Sequence, residues 1–537
     1  MNRVPPFLIA LPGGLSASGV VAWALRVCNG LVARGGRAGI VVHAPPGGQA
    51  ELAWEIDPRV RVWDLRDLCR IEDRPGDVGA FVPRYREAIE ALARGQSEPV
   101  IFSPNLVGDC YAIAAALSQV IPSQLRVVGW LHNDIPYEYH VQRHYARLIS
   151  AFVPVSGRIE ETLRAQLGAE RRGDVRRIAY GVEVPAEIAR GEWRGRRPLR
   201  VVYSGRLEET QKRVMCLPEL SRELTRGGLA HELVVLGDGP AAGELARASA
   251  GLRSIRLCGG IGAAGVREVL AQADVLVLPS RHEGLSVAVM EAMALGCVPV
   301  ITRVASGASE LVEDGVSGVL VDEPREGEAL GEAMSRGVQR AALDLAAMSS
   351  GAWRRARAEF SLAAHLERVC DLLTHVAGQA QRSWPTNRPC GFAGAGGAGS
   401  SGSVPADGAA RLEALLKALS GRRVFIHGTG RHTLELAEVY ARFGSSIVGF
   451  IDDDPAKHGT TLWGWRVLSP QEATDGTDVV ISSWINQGVI FARRGVYEAL
   501  GLVVHALYEP ESSARAPLPG RGATPQTPAW VSTAELA

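Results

Sequence analysis

Short apolar runs alternate with longer segments of helical periodicity through the first third of the chain. Runs rich in Val, Ile and Leu are typical of strands that are buried on both faces of a sheet. Strands that alternate with helices in this way form a parallel sheet. The pattern predicts strands at Phe7–Leu11, Arg37–His43, Val60–Trp63, Val100–Phe102, Val127–Leu131 and Ala151–Val155, with helices at Val20–Arg34, Val82–Arg94 and Cys110–Val120.

A second region of the same kind follows an arginine-rich stretch at 190–197, which we interpret as a connection between domains. The fold class is therefore α/β, with one Rossmann-like domain at 1–185 and another at 186–375. The second region has predicted strands at Leu199–Tyr203, Glu232–Leu236, Val275–Pro279 and Val298–Ile301, and predicted helices at Val266–Gln272, Leu285–Leu295 and Trp353–Leu373.

The sequence GFAGAGGAGSSGSVP interrupts this pattern and predicts a flexible linker over residues 376–409. Beyond the linker, the strand pattern returns at Val424–Ile426 and Ile447–Ile451, with a helix at Leu434–Phe443 between them. We therefore expect a third, small Rossmann-like α/β domain at 410–512 and a disordered tail at 513–537.

The stretch Ala273–Thr302 predicts one strand–loop–helix–strand unit, whose loop lies at the carboxyl end of a strand, where open α/β sheets bind ligands. Two glutamates lie in this unit: Glu283 in the loop and Glu291 in the helix. The backbone amides of 284–286 open the helix and can face an anion. On spacing alone, a capping Glu283 and a solvated Glu291 remain the simpler interpretation.

The segment E-G-L-S-x-x-x-x-E-A-M-A-x-G-x-x-P-V-I, which begins at Glu283, resembles the EX7E segment of retaining GT-B glycosyltransferases of family 4. The resemblance covers roughly residues 5–375 and implies two Rossmann-like domains that face a cleft. It also implies that Glu283 contacts the donor sugar and that Glu291 holds the nucleotide ribose. The amides of Gly284, Leu285 and Ser286 would then contact the diphosphate.

Other positions match the same family. Arg206 and Lys212, after the strand Leu199–Tyr203, resemble the two cations that clamp the donor diphosphate, although a pair of solvated cations is the alternative. His132 follows a strand end and resembles a histidine beside the donor sugar, whereas a lone histidine is often structural. Gly13 and Gly14 resemble the loop that faces the cleft, which implies that they contact the donor, but a tight turn alone would also need glycine.

The third domain carries a glycine turn at 427–433 and acidic residues at 452–454. This spacing predicts a weak nucleotide site with Gly428, Gly430 and Asp452, in which Asp452 would bind a ribose hydroxyl. Thr433 replaces the third glycine of the usual pattern. The segment resembles the small Rossmann-like domain attached to sugar acyltransferases and polysaccharide-biosynthesis proteins. Acyl transfer is not implied, because hexapeptide repeats are absent, and a structural or partner-docking role is an equal alternative.

The 537 residues carry 58 basic and 58 acidic side chains, so the net charge of zero excludes a broad nucleic-acid surface. The eight cysteines form no CxxC pair and are typical of a reducing compartment. The sequence contains no uninterrupted apolar stretch long enough to span a membrane. We therefore expect a cytoplasmic protein, with peripheral association at the inner face of the membrane left open. Neither a DxD pair in the cleft nor a His/Cys cluster predicts a metal site, and no cofactor is required.

The sequence predicts a retaining glycosyltransferase that moves a sugar from a nucleotide-diphosphate sugar to a glycan, lipid-linked or other acceptor. Surface-polysaccharide or glycoconjugate biosynthesis is the expected context. A sugar-nucleotide epimerase and a catalytically silent nucleotide-sugar-binding protein are the two alternatives. Donor base, donor sugar and acceptor depend on loops whose sequence does not identify them.

Overall fold

The computed structural model describes residues 4–508, apart from 17, 46–50, 69, 72–77, 106, 189–192, 326, 389, 393–407, 431, 434–435, 454–456, 483–489 and 492–493. The described residues form two compact units, one within Met1–Gly399 and the other within Ser400–Gly522.

The first unit begins with a parallel sheet whose six described strands run in the order β3-β2-β1-β4-β5-β6. Every residue of β1 is buried, as the apolar run predicts. The side chain of Ser18 caps the first helix by accepting a hydrogen bond from the Val20 amide. The elements are β1 Phe7–Leu11, α1 Gly19–Ala33, β2 Ala38–Val42, β3 Arg61–Asp64, α2 Val82–Ala93, β4 Val100–Ser103, α3 Gly108–Val120, β5 Leu125–Leu131, α4 Pro136–His144, β6 Ile149–Pro154 and α5 Gly157–Gln166.

A second parallel sheet follows, with its described strands in the order β12-β11-β10-β7-β8-β9. Both sheets therefore have the doubly wound strand order, in which ligands bind where the order reverses. The reversal lies between β1 and β4 in the first sheet and between β7 and β10 in the second. The elements are β7 Leu199–Ser204, α6 Leu217–Arg226, β8 His231–Leu236, α7 Ala242–Ala248, β9 Ile255–Leu257, α8 Ala263–Gln272, β10 Val275–Leu278, α9 Val287–Ala294, β11 Val298–Thr302, α10 Ala308–Leu311, β12 Val319–Val321, α11 Leu330–Leu343 and α12 Leu345–Glu359.

The next helix, α13 Leu362–Ala377, returns to the first sheet and packs on α1. The Trp23 indole donates to Nε2 of His365 at 3.0 Å, and a Cβ added to Gly30 would lie 2.4 Å from Leu366. The predicted helix at Trp353–Leu373 is thus divided in two, and its second half crosses between the domains as expected for a GT-B chain.

The two domains of this unit are joined by two segments that lie side by side. The Val182 amide donates to the Phe360 carbonyl at 2.9 Å, and the Leu362 amide donates to the Val182 carbonyl at 2.8 Å. The segment that leaves the first domain and the one that returns to it therefore form a short parallel bridge, between Val182 and Ser361.

Residues 379–388 and 390–392, which we call the strap, pack on the first domain, within the range for which the sequence predicts a flexible linker. Trp384 is only 1% exposed, and its amide donates to Ser118 Oγ at 2.9 Å. Phe392 is buried against Gly108, and the Cys390 carbonyl accepts from the Tyr145 hydroxyl at 2.8 Å. The linker prediction followed glycine and serine content, whereas these aromatic side chains have apolar surface to bury.

The second unit contains the predicted third Rossmann-like sheet, with its described strands in the order β15-β16-β14-β13-β17-β18. The β15–β16 pairing is antiparallel, and the other pairings are parallel. The predicted tail at 513–537 lies outside the described residues. The elements are α14 Gly408–Ala418, β13 Val424–His427, α15 Ala437–Arg442, β14 Ile447–Ile451, β15 Thr461–Leu462, β16 Trp465–Leu468, β17 Asp478–Ile481, α16 Gly495–Glu498 and β18 Val503–Ala506.

In the described part of the chain, no helix combines the length and apolarity needed to cross a membrane. The seven described cysteines are free thiols, and five of them are buried. The five buried cysteines pack as small apolar side chains, and Cys69 lies outside the described residues.

Candidate active site

Two predicted site residues, Lys212 and Glu283, meet at the strand-order reversal of the second sheet. Lys212 lies on the loop after β7, and Glu283 lies on the loop after β10, 71 positions later in the sequence. Lys212 Nζ is 2.6 Å from Glu283 Oε1, and the two side chains are 17% and 13% exposed. The fold therefore forms a largely buried ion pair from the cation and the carboxylate that the sequence singled out separately.

Hydrogen bonds hold these two loops together. The Gln211 side chain donates to the His282 carbonyl at 3.0 Å, and the Arg281 amide donates to the Gln211 carbonyl at 2.7 Å. Glu208 is buried, and its carboxylate accepts from the amides of Gln211 and Lys212 at 2.9 and 3.1 Å. The position of Lys212 is thus fixed by its own backbone as well as by its partner.

Arg213 has a structural role that the sequence analysis did not assign. Its guanidinium is buried, donates to the carbonyls of Pro279 and Ser280 at 2.7 and 2.9 Å, and pairs with Glu323 at 2.8 Å. Its backbone is left-handed at φ 49°, which is uncommon for a residue with a side chain. The only sequence signal for this role was the pair of adjacent cations in Gln-Lys-Arg. Two neighbouring cations are expected to have different partners, and the guanidinium of Arg213 is the one that bonds to the loop itself.

The loop before α9 presents backbone donors beside the ion pair. The amides of Gly284, Leu285 and Ser286 donate to no other residue in the described part of the chain. A helix N-terminus with unsatisfied amides carries partial positive charge and favours anions. A Cβ on Gly284 would lie 1.8 Å from the His132 carbonyl oxygen, so only glycine allows this loop to approach the first domain so closely.

Glu291, the second predicted glutamate, lies on α9 and forms a short ion pair with Arg26. Arg26 belongs to α1, so the pair joins the two Rossmann-like domains. A Cβ added to Gly19, seven residues earlier on the same face of α1, would lie 3.3 Å from the Val287 side chain at the start of α9. Arg26 was not predicted as a site residue, because nothing local to α1 indicates which of its polar positions faces the other domain.

His132 follows β5 as predicted, and both of its ring nitrogens are bonded inside the protein. Nε2 is 2.5 Å from Asn105 Oδ1, and Nδ1 is 2.5 Å from the Tyr180 hydroxyl. The Asn105 amide nitrogen donates to the Ala10 carbonyl, so its oxygen faces His132 and Nε2 carries the proton. Burial lowers the pKa of His132 to about 3, which keeps the ring neutral. A sugar hydroxyl could reach either nitrogen only by displacing Asn105 or Tyr180.

The buried carboxylate of Glu138 fixes the loop after β5 by accepting hydrogen bonds from it. One carboxylate oxygen accepts from the amides of His132 and Asn133 at 2.6 and 3.1 Å, and the other accepts from the Asn133 side chain at 2.8 Å. These donors favour the charged form, but burial outweighs them and raises the pKa of Glu138 to about 7. This buried carboxyl, which lies two residues inside α4, was not predicted from the sequence.

The other predicted site residues of the first unit are Gly13, Gly14 and Arg206, and the structure gives a local reason for some of them. Gly14 has φ 65° and donates to the Leu11 carbonyl, so the turn after β1 needs glycine there. A Cβ on Gly13 would meet nothing closer than 3.9 Å, so sterics do not explain this glycine. The backbone carbonyl of Arg206 accepts from the Tyr203 hydroxyl at 2.8 Å. Among the described residues, the Arg206 guanidinium has no ion-pair partner.

In the second unit, the glycine turn follows β13 as predicted. Gly428 has φ 117°, and a Cβ there would lie 2.7 Å from the Ser482 carbonyl oxygen. Asp452 Oδ2 accepts from the Thr429 amide at 3.0 Å and pairs with Lys457 at 3.0 Å. Asp452 is therefore bonded to the glycine turn, and a ribose hydroxyl would share it with these donors. Nothing crowds Gly430, and Asp454 lies outside the described residues.

Among the described residues, no three His, Cys, Asp or Glu side chains lie together in a way that could hold a metal ion.

Residues 198–340 match the protein family described as "Glycosyl transferases group 1". The chain is 32% identical over 201 residues to the alpha-D-kanosaminyltransferase of Streptomyces kanamyceticus, across 35% of this chain and 50% of that protein. It is 31% identical over 274 residues to the amylovoran biosynthesis glycosyltransferase AmsK of Erwinia amylovora, across 47% of this chain and 66% of that protein. The chain thus spans only part of the length of each relative.

The fold is also found in solved structures. The chain resembles the pneumococcal O-GlcNAc transferase GtfA in complex with UDP and GlcNAc, with a TM-score of 0.55 and 12% identity over 71% of this chain and 100% of that chain. The first unit therefore has the GT-B fold, and this prediction is confirmed. Within it, the match to group 1 glycosyl transferases spans residues 198–340, which carry Lys212 and both glutamates.

Proposed function

We propose that the protein transfers a sugar from a nucleoside-diphosphate sugar to an acceptor hydroxyl with retention of configuration, as a family 4 enzyme. The bond between the anomeric carbon and the diphosphate oxygen breaks, and a bond from that carbon to the acceptor oxygen forms. The acceptor proton passes to the departing diphosphate, which acts as the base. No side chain is needed as a general base in this scheme.

The observation that carries the proposal is the ion pair between Lys212 and Glu283, next to the unsatisfied amides of 284–286. A donor of this class has a diphosphate, which needs cations and amide donors, and sugar hydroxyls, which need an acceptor. The site offers both within one loop pair. The match of this segment to the group 1 family supports the assignment independently.

Lys212 has two roles in this proposal. It neutralises Glu283, which would otherwise repel an incoming diphosphate, and it stabilises the charge that grows on the leaving group. Arg206 provides a second cation, and Glu283 uses its other oxygen for the sugar. His132 holds the facing loop, because its carbonyl packs directly on Gly284.

We further propose that residues 1–185 bind the acceptor and that 186–375 bind the donor, which Gly13 and Gly14 also contact from the first domain. Cations and amides replace a metal ion at the diphosphate, so transfer is metal-independent. The acceptor is a glycan or a lipid-linked sugar, since one relative is named for amylovoran biosynthesis. A cytoplasmic location, with peripheral contact to the membrane for a lipid-linked acceptor, fits this role.

For the third domain we propose a nucleotide site at Gly428, Gly430 and Asp452. Its support is the close approach of Gly428 to Ser482, at the point where the strand order of the third sheet reverses between β13 and β17. Titration of residues 408–537 with nucleotides, followed by NMR or calorimetry, tests this site by itself. Equal binding by an Asp452→Asn variant would contradict the role of Asp452.

Product analysis with a panel of UDP-, GDP- and ADP-sugars and sugar acceptors tests the main proposal. We expect a new glycosidic bond with the anomeric configuration of the donor, which NMR of the product reports. An epimerised nucleotide sugar without transfer would favour the epimerase alternative. Donor binding without turnover, for every acceptor tried, would favour a binding protein.

A further inference from the structure

One peptide group connects the first domain to the loop that carries the unsatisfied amides. It joins His132 to Asn133, just after β5. Its carbonyl oxygen faces Gly284, where an added Cβ would lie only 1.8 Å away, and its N–H donates to Glu138 Oε2 at 3.1 Å. The N–H and C=O of a trans peptide point in opposite directions, so the group that holds the N–H also determines where the C=O points. Glu138 therefore directs the His132 carbonyl towards Gly284.

Every hydrogen bond that the structure gives to Glu138 requires its carboxylate to accept. The amides of His132 and Asn133 donate to Oε2, and the Asn133 side chain donates to Oε1 at 2.8 Å. A carboxylate only accepts, whereas a protonated carboxyl carries an O–H donor. A proton on either oxygen would place this O–H against an N–H donor, so at least one of the three hydrogen bonds would break. The loop after β5 is therefore fully held only by the charged form.

The groups around Glu138 leave its charge sensitive to pH. Asp134, on the same loop, opposes ionisation of Glu138, and Arg158 of α5 lies 3.7 Å from Asp134. On the facing loop of the second domain, Glu283 is paired with Lys212. Three tyrosines interact electrostatically with Glu138 and are neutral, because burial raises the pKa of each: Tyr111, Tyr139 and Tyr180. Burial outweighs the three donors and raises the pKa of Glu138 to about 7, so its charge changes within the neutral range.

We propose that Glu138 is a positioning residue, whose charged carboxylate orients the peptide between His132 and Asn133 and, through it, the donor loop at 284–286. This inference rests on the proposed function. With Glu138 ionised, the His132 carbonyl supports Gly284, and the loop amides keep the arrangement that a diphosphate needs. When Glu138 takes up a proton, the peptide can tilt, and the first domain no longer supports the loop. Sugar transfer therefore needs Glu138 ionised and slows as the pH falls through the neutral range.

Glu138→Gln is the decisive variant, because glutamine has the shape of glutamate, one acceptor oxygen and no charge to gain or lose. The measurement is kcat/KM of the full chain between pH 6 and 8.5, with the donor that the panel of UDP-, GDP- and ADP-sugars identifies. We expect the unaltered chain to exceed the variant by about tenfold or more at pH 8.5, the effect of one lost hydrogen bond to a charged group. The two values should converge towards pH 6. Thermal unfolding at each pH checks that the fold is retained.

Asn133→Ala gives a test that does not depend on the glutamine variant. It removes one of the three donors that favour the charged form, so the pH at which kcat/KM falls to half its maximum should move upward. Asp274→Asn is the matched control. Asp274 is a buried carboxylate that accepts from the Arg200 amide at 2.9 Å, but it precedes β10, at the opposite end of that strand from Glu283. The ratio of kcat/KM between the unaltered chain and this control should not vary with pH.

A kcat/KM of the unaltered chain that does not fall between pH 8.5 and 6 would overturn the inference. A constant ratio between the unaltered chain and Glu138→Gln over this range would overturn it as well, and so would an Asn133→Ala midpoint that stays in place or moves downward. If Glu138→Gln does not fold, the other two measurements decide. In all these cases the proposed function stands, because sugar transfer is still observed. If the unaltered chain transfers no sugar from any donor at any pH, both the inference and the proposed function fail.

Discussion

Replacing Trp384 by alanine should destabilise the first unit, although this residue lies in a stretch whose sequence predicts a flexible linker. Trp384 is 1% exposed and packs between His144 and Tyr145, with ring centroids 5.6 and 5.1 Å away. Truncating a buried tryptophan typically costs about 3–5 kcal/mol, from lost burial and from the cavity left behind. The Arg388 guanidinium, 4.7 Å above the ring, adds roughly 0.5–1 kcal/mol.

Urea unfolding followed by circular dichroism measures this change in the free energy of unfolding. Leu343→Ala is the control, because Leu343 is 88% exposed in the same unit and should change stability by less than about 0.5 kcal/mol. If Trp384→Ala behaves like this control, the strap does not pack as described, and the linker begins at residue 376 as the sequence indicates.

Two shortened chains extend the test. A chain that ends after Phe392 retains the strap and should fold and bind donor with the affinity of the full chain, because the third domain lies beyond it. A chain that ends after Ala377 loses the strap and exposes its binding surface on α3 and α4. Limited proteolysis should degrade the shorter chain faster, and equal resistance would contradict the contribution of the strap.

Three further predictions concern the site and its surroundings. Lys212→Ala should lower kcat by about 10²–10³ and change the KM for donor less, because charge grows on the leaving group in the transition state. Glu283→Gln should lower turnover while free nucleotide diphosphate still binds. Wild-type kcat in both variants would show that the site lies elsewhere. Turnover should persist in EDTA, and a complete loss that Mg²⁺ or Mn²⁺ restores would refute metal independence. Burial lowers the pKa of His43, His132 and His365 to about 4, 3 and 4, so each is neutral in the folded state and gains a proton on unfolding below about pH 6.5. Their contribution to stability is present above pH 6.5 and lost as pH falls, by up to about 4 kcal/mol per pH unit near pH 5 for three protons; an unchanged urea midpoint between pH 7.5 and 5 would contradict this.

Most strands of the first unit were predictable because they are buried on both faces and have a continuous apolar run. The exposed β3 has no such burial, and the partly buried β9 was not predicted. β1 has the predicted bounds, and β10 differs from its prediction by one residue. The loop residues Lys212 and Glu283 were identified through motif resemblance, since no periodicity relates positions that meet only at a strand-order reversal. The direct contact between Lys212 and Glu283 could therefore be recognised only from the folded structure.

The missed residues share a physical cause. Arg26 and Glu138 become significant through partners on other elements, and single-residue patterns carry no information about such partners. The strap was missed for a related reason: its few aromatic residues lie in a polar, glycine-rich context, and their burial depends on a surface formed by α3 and α4. Composition describes how the chain would behave alone and does not describe what it packs against.

The hydrogen-bonded pair of connections at Val182 and Ser361 has a mechanical consequence. A single tether would let one domain swivel freely about its axis, but two tethers fastened side by side resist torsion. The remaining freedom of the two domains is rotation about a single hinge axis. Entry of a donor and exit of a nucleotide would then follow the same arc in opposite directions, and the angle of that arc would be the one coordinate needed to describe the cycle.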